Sequence, residues 1–231
     1  MADRPDDDLP AGYASPPCFM HELDPAWLGL PAAPEDAQQR RDVARWRKAE
    51  RQRLIAARMA LDPSLRRHWC DRIAAHLDAS LGPLDGLTVS GWWPIRAEPD
   101  LRTWADTLPD RGASYALPVV AEKGRPLVFR RWRRGDRLEP GVWNIPTPVD
   151  GPEVVPDIVL APIVGFDRAC WRLGYGGGYF DRTLAVLPAG RTVVGVGFSL
   201  FAIPTIYPQP HDIPMGMIVT EEGRRSEYLN R

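Results

Sequence analysis

An arginine, a cluster of glycines and an aspartate share one short stretch, Arg172-Leu-Gly-Tyr-Gly-Gly-Gly-Tyr-Phe-Asp181. Glycines at Gly174, Gly176, Gly177 and Gly178 let main-chain N–H groups come close to an anion. A helix starting near Tyr179 adds N–H donors that have no partner inside the helix, and a positive dipole end. Arg172 supplies a permanent charge that can meet a phosphate through paired hydrogen bonds. Asp181, one turn into the helix, is placed to hold a metal carried on that phosphate. Together these residues describe a nucleoside triphosphate site. The glycines by themselves fit an empty turn about as well. They are not a Walker loop, since no Gly-Lys-Ser/Thr follows, and their spacing is not that of a dinucleotide fold.

The elements that must position this stretch follow from periodicity. A short, apolar, branched run, Ile158 to Pro162 (IVLAP), reads as a buried parallel strand leading into the glycine loop. Tyr179 to Leu187 reads as the helix after it. Upstream, one helix is expected from about Asp42 to Leu61, with Val43, Trp46, Leu54 and Met59 on its apolar side, and Pro63 ends the pattern. A second is expected from Pro63 to about Ser80, with Trp69, Ile73 and Leu77 facing inward. Strands are expected at Leu87–Trp92, Ser114–Val119, Leu127–Trp132, Thr192–Phe198 and Ile218–Thr220, with a helix at Pro99–Leu108. Alternation of this kind predicts an α/β fold with a mostly parallel sheet covered by helices.

Composition limits the function classes. The chain has 231 residues, 44% of them hydrophobic, and a formal net charge of -1. That fits one decorated α/β domain, and it excludes the global basic field that holds nucleic acid. Cys18, Cys70 and Cys170 are few and scattered, which argues against a disulfide framework and suits a reducing cytoplasm. Cys18 and His21 have ligand-like spacing, but no second pair completes a zinc site. No apolar run reaches bilayer length. Residues 1–40, acidic and proline-rich at the start, read as an N-terminal extension, and residues 41–231 as the α/β domain. The basic run RRWRRGDR, residues 130 to 137, reads as the exposed end of a hairpin, with RNA or a polyglutamate tail as possible contacts.

Several blocks, in order from about residue 41 to 222, resemble the 5-formyltetrahydrofolate cyclo-ligase family. The stretch Arg172–Asp181 is similar to its signature. Arg47-Lys48-Ala49-Glu50-Arg51 resembles its N-terminal basic helix, and Trp92-Trp93-Pro94 with Glu98 its strand-and-glutamate block. Trp143-Asn144-Ile145-Pro146-Thr147-Pro148 resembles its Ile-Pro-x-Pro loop. His211-Asp212 with Ile218-Val219-Thr220-Glu221 resembles its C-terminal block.

The resemblance implies a three-layer, Rossmann-like fold with a central mostly parallel sheet. It implies ring closure of 5-formyltetrahydrofolate to 5,10-methenyltetrahydrofolate, driven by ATP and Mg2+, with ADP and phosphate released. Arg172 and Asp181 would be catalytic. Arg47, Lys48 and Arg51 would bind ATP with Arg172, Gly174, Tyr175, Gly176, Gly177, Gly178, Tyr179 and Phe180. On the residues alone, Lys48, Arg45 and Arg53 read as a solvated basic face. Trp93, Glu98, Trp143, Tyr175 and Tyr179 would bind folate, although Glu98 in isolation reads as an exposed loop residue. Asp181 and Asp212 would hold the metal. The implied partners are folate and ATP, without nucleic acid or membrane, in a cytoplasmic monomer or weak homodimer. Cys170 stands where the family commonly has Gly, Phe180 where it has Tyr, and Phe201 where it often has Gln. A member that binds ATP or folate with a lost or altered reaction is the alternative these departures raise.

Overall fold

The computed structural model describes residues 37–225. The expected N-terminal extension, with Cys18 and His21, lies almost wholly outside them. The chain divides into two compact units, the second beginning at Leu54. The helices among the described residues are α1 (Ala37–Met59), α2 (Pro63–Leu81), α3 (Arg102–Ala105) and α4 (Tyr179–Val186). The strands are β1 (Thr88–Ser90), β2 (Ser114–Val119), β3 (Val128–Arg131), β4 (Leu138–Pro140), β5 (Pro146–Pro148), β6 (Glu153–Val154), β7 (Ile158–Pro162), β8 (Gly165–Phe166), β9 (Arg172–Leu173), β10 (Thr192–Val196), β11 (Met217–Thr220) and β12 (Gly223–Arg225).

Eight strands form one sheet in the order β12-β11-β10-β7-β1-β2-β3-β6. The five central strands, β11 to β2 in that order, run parallel, and β12, β3 and β6 join antiparallel at the edges. The α/β class and the mostly parallel sheet are as expected. The strand β7 is buried at four of its five positions and pairs with β1 on one side and β10 on the other. From β1 the chain crosses outward to β2, and from β7 it crosses the opposite way to β10. The order therefore reverses between β1 and β7. In an open parallel sheet, the crevice beyond the carboxyl ends of two such strands is where ligands bind.

Helix α2 follows its sequence closely. Asp62 caps it, its Oδ1 accepting the N–H groups of Ser64 (2.8 Å) and Leu65 (3.1 Å), and Pro63 fits the first turn. Ile73 and Leu77 are fully buried, as expected. Three expectations need correction. On α1, Met59 is 59% exposed, and Arg58 takes the inward position with 1% exposure. The helix expected over 99–108 shrinks to Arg102–Ala105, because the Asp100 carboxylate takes the Arg102 N–H and the Thr107 hydroxyl bonds back to the Trp104 carbonyl. The run RRWRRGDR is exposed at Arg131 and from Arg133 to Arg137, as expected, but it is not the end of a hairpin: β3 pairs with β2 and β6, and Trp132 is buried, edge-on to Trp93 and Tyr115. Its Arg130, Arg134 and Arg137 are paired with Glu153, Asp106 and Glu139.

Gly195, in the middle of β10, lies opposite Ala161 and Ile218. A Cβ there would meet Ile218 Cδ1 at 2.5 Å and Met215 Cγ at 3.0 Å. Gly195→Ala should overpack the sheet and cost about 1–3 kcal/mol. Urea unfolding with an unchanged m-value would read this as a lower midpoint.

Candidate active site

Two loops leave the sheet on either side of the switch point. The first follows β1 and carries Trp93 and Glu98. Glu98 is 5% exposed, so its isolated reading as an exposed loop residue fails. It is turned inward by two consecutive left-handed residues, Arg96 (φ 47°) and Ala97 (φ 61°). That conformation is uncommon outside glycine. Its carboxylate accepts the Ile95 N–H at 2.9 Å, with the Tyr175 hydroxyl beside it and Arg58 Nη2 4.0 Å away. Burial pushes the Glu98 carboxyl above its usual value, against the pull of the Ile95 N–H and the Arg58 charge. Burial and the Glu98 charge likewise push the Tyr175 phenol up. Trp93 is half-buried, with the Arg102 guanidinium 4.6 Å from its ring centre.

The second loop follows β7, but not directly. The antiparallel pair β8–β9 intervenes, with Phe166 opposite Arg172. Asp167 holds its turn by accepting the N–H groups of Ala169, Trp171 and Ile206. Burial raises the Asp167 carboxyl, and these three donors oppose that shift. This hairpin presents Arg172, 6% exposed, to Asp181 at 2.9 Å, with the Phe180 ring 5.3 Å from the guanidinium. A Cβ on Gly174 would sit 2.7 Å from Arg172 Nη1, so a side chain there would displace the guanidinium. Helix α4 then begins at Gly178 in the left-handed region (φ 65°), with no side-chain cap on its first turn and with Asp181 in that turn. The helix start expected near Tyr179 is thus present.

Tyr179 joins the far side. Its hydroxyl accepts the Gly124 N–H at 3.2 Å, and its ring meets Trp143 edge-on at 5.4 Å. Trp143 is 65% exposed at the turn between β4 and β5, where Trp143 and Asn144 are both left-handed. Asp212 closes a turn, its Oδ2 accepting the Gln209 N–H at 2.7 Å, and the next residue, Ile213, donates its N–H to Asp181 Oδ1 at 3.4 Å. So Asp181 and Asp212 are neighbours. Among the described residues no group of three or more His, Cys, Asp or Glu forms a metal cage. Two neighbouring carboxylates are hard oxygen donors of the kind that would suit magnesium. Gly176 and Gly177 are exposed within the loop. Arg47, Lys48 and Arg51 lie on α1, Arg47 buried, Arg51 half-buried and Lys48 exposed. Arg45 and Arg53 pair with Asp42 and Glu50, as a solvated face does.

The sequence profile of the 5-formyltetrahydrofolate cyclo-ligase family matches residues 43–221. The chain belongs to this family. A relative named 5-formyltetrahydrofolate cyclo-ligase from Mycolicibacterium smegmatis is 32% identical over 156 residues, 62% of this chain and 80% of that protein. One of the same name from Escherichia coli K12 is 27% identical, covering 71% of this chain and 93% of its own. The solution structure of Aquifex aeolicus 5,10-methenyltetrahydrofolate synthetase is similar with a TM-score of 0.66 at 26% identity, over 78% of this chain and 92% of that one. Among the described residues, no helix is long and apolar enough to cross a membrane.

The three departures from the family pattern fall in packed positions. Phe201 is 3% exposed and lies against Phe198. Cys170 is buried among Ala161, Ile163, Phe166, Met215 and Ile218, and Phe180 packs on that same cluster. Cys170 is itself left-handed (φ 61°), which explains why glycine is common there. Sequence reasoning missed Arg58 and the bracing role of Asp167. The signal for Arg58 was its spacing of four from buried Leu54 on one helix face.

Cys170→Gly loses the buried sulfur and relieves the backbone, whereas Cys170→Ala loses the sulfur and keeps the strain. The glycine variant should therefore be the more stable of the two by about 0.5–1 kcal/mol, as read by denaturant midpoints.

Proposed function

We propose that this protein cyclises 5-formyltetrahydrofolate to 5,10-methenyltetrahydrofolate, using ATP and Mg2+ and releasing ADP and phosphate. The observation that carries the reading is the way one loop, Arg172 to Asp181, reaches two kinds of recognition at once. At one end Tyr175 meets the buried Glu98. At the other the Arg172–Asp181 pair stands before an uncapped helix start.

The chemistry suits that arrangement. An N-formyl carbonyl is a poor electrophile, and its oxygen is a poor leaving group. Transfer of the γ-phosphoryl to that oxygen releases ADP and activates the carbon. N10 then attacks, phosphate departs with the oxygen, and the N10 proton is lost to leave the methenyl bridge. Such a reaction needs positioning and charge neutralisation more than a protein nucleophile. Glu98 would accept hydrogen bonds from the pterin N–H groups, with Trp93, Trp143, Tyr175 and Tyr179 as apolar walls. The loop amides from Gly174 to Phe180, with Arg172, Arg47, Lys48 and Arg51, would balance phosphate charge. Asp181 and Asp212 would hold magnesium, which supplies Lewis-acid stabilisation of the phosphate oxygens. Folate and ATP are then the partners, and a cytoplasmic monomer or weak homodimer suits such chemistry.

Absorbance of the methenyl product tests this. Full-length protein with 5-formyltetrahydrofolate, Mg2+ and ATP should give a rise that needs ATP and that Asp181→Asn lowers by about a hundredfold or more, the scale of losing one preorganised electrostatic contact. ATP hydrolysis with no folate product would instead indicate an altered reaction.

The pH dependence has a defined sign. Burial raises the Glu98 carboxyl in the folded state. Its contribution to folding stability therefore declines as pH climbs from the ordinary glutamate value through the raised one. Folate recognition runs the other way, because pterin N–H donors need the anion. The KM for folate should rise as pH falls through the raised value, at a pH above the range of an ordinary glutamate. A profile that stays flat down to that ordinary range would contradict the role of Glu98. Glu98→Gln should raise the folate KM about tenfold to a hundredfold, matching the loss of a charge-assisted hydrogen bond.

A further inference from the structure

Arg58 has no exposure to spare for solvent or ligand. Its side chain is 1% exposed, and its donors are spent on three different segments. Nε donates to the Arg96 carbonyl at 3.0 Å, on the loop that turns Glu98 inward. Nη1 donates to the Ile163 carbonyl at 3.3 Å, where the chain leaves β7. Nη2 donates to the Tyr175 hydroxyl in the glycine loop. The same Nη2 is 4.0 Å from Glu98 Oε1. Its guanidinium also lies 5.8 Å from the Tyr175 ring centre, as does that of Arg96.

We propose that Arg58 is a positioning residue for folate recognition: it locks the Glu98 loop, the exit of β7 and the Tyr175 ring into one rigid frame across the sheet's switch point. The role rests on the functional reading above. A guanidinium offers several donors in one plane and can reach all three segments at fixed angles, which an ammonium does not. It also sets a fixed positive charge beside Glu98, which opposes the upward push of burial and so favours the anion that the pterin contacts require. The titratable and charged groups facing Glu98 are Arg58 from α1 and Tyr175 from the glycine loop, with Arg96 behind the Tyr175 ring. Arg172 and Asp181 pair with each other at the far end of the loop, and none of these Arg58 bonds goes to either, so the larger effect is expected on folate.

The test uses the full chain with Arg58→Gln and Arg58→Lys, reading kcat, the KM for 5-formyltetrahydrofolate and the KM for ATP across pH. Arg58→Gln should raise the folate KM tenfold or more, leave the ATP KM within about twofold, and move the acid limb of the folate profile to higher pH. Arg58→Lys should return that limb toward wild type by restoring the charge, while recovering the KM only in part because the fork is lost. A merely structural role would lower activity toward both substrates without moving the pH limb, and that result overturns the proposal, as do two unchanged KM values. If Arg58→Gln fails to fold, Arg58→Lys carries the test: it should raise the folate KM several-fold with the ATP KM within about twofold, and equal effects on both would again overturn the proposal. Wild-type protein without ATP-dependent folate turnover would refute the functional reading itself, a result distinct from active wild type with silent Arg58 variants.

Discussion

A charged group withdrawn from water must find its partners inside the protein, and each group buried here constrains the segments around it. Arg58, Glu98, Asp167 and Arg172 are all 6% exposed or less. Asp167 ties the β8–β9 turn to Ile206, some forty residues on. Arg172 reaches Asp181 across the glycine loop, and Asp181 in turn fixes Ile213. Arg58 reaches the loops after β1 and β7. The loops at the carboxyl ends of the strands are thus held by polar bonds that have no aqueous substitute, and their geometry precedes any ligand. Preorganisation of this kind is what a reaction limited by alignment and charge requires.

Backbone strain gathers outside the main sheet. Every described non-glycine residue with positive φ lies in a loop or turn: Arg96 and Ala97 before Glu98, Trp143 and Asn144 at the β4–β5 turn, Cys170 before Arg172, and Tyr207 before the Asp212 turn. Each costs of order 1–3 kcal/mol and persists only where its surroundings overdetermine it. The buried sheet supplies that rigidity. Strand β7 has neighbours on both sides, and every position from Ile158 to Ala161 is closed to solvent. In the loops, where no ladder of sheet hydrogen bonds fixes the backbone, a side chain such as Glu98 can be turned inward at the cost of left-handed neighbours.

The sheet was legible because its signals are local. IVLAP is short, branched and apolar, and the glycines before Tyr179 mark a helix start. Both are properties of consecutive residues. The β4–β5 pair was not legible, because strands bounded by Pro140, Pro146 and Pro148 look like loop. The β8–β9 pair was hidden in the same way, being only two residues on each side. Glu98 marks the limit more sharply. Its neighbours Ala97 and Pro99 suggest an exposed loop, and its burial depends on Arg58 forty positions earlier and Tyr175 far later. Resemblance to the family pointed to Glu98, whereas periodicity could not. Arg58 escaped because a cation on a basic helix is ordinarily read as solvated.

The departures from the family pattern are explained by packing more than by chemistry. Cys170 and Phe180 belong to one apolar cluster at the base of the glycine loop, so a side chain where glycine is usual and a ring without its hydroxyl adjust the same interior. Phe180 also places its ring against Arg172, and an aromatic face beside a desolvated guanidinium stabilises the charge without competing for its hydrogen bonds. Phe201 is packed against Phe198, which contacts Trp69 of α2, and so serves the interior between helix and sheet. None of the three removes a charged group from the site. What the chain has changed is the apolar support beneath Arg172, while the Arg172–Asp181 ion pair keeps both its members.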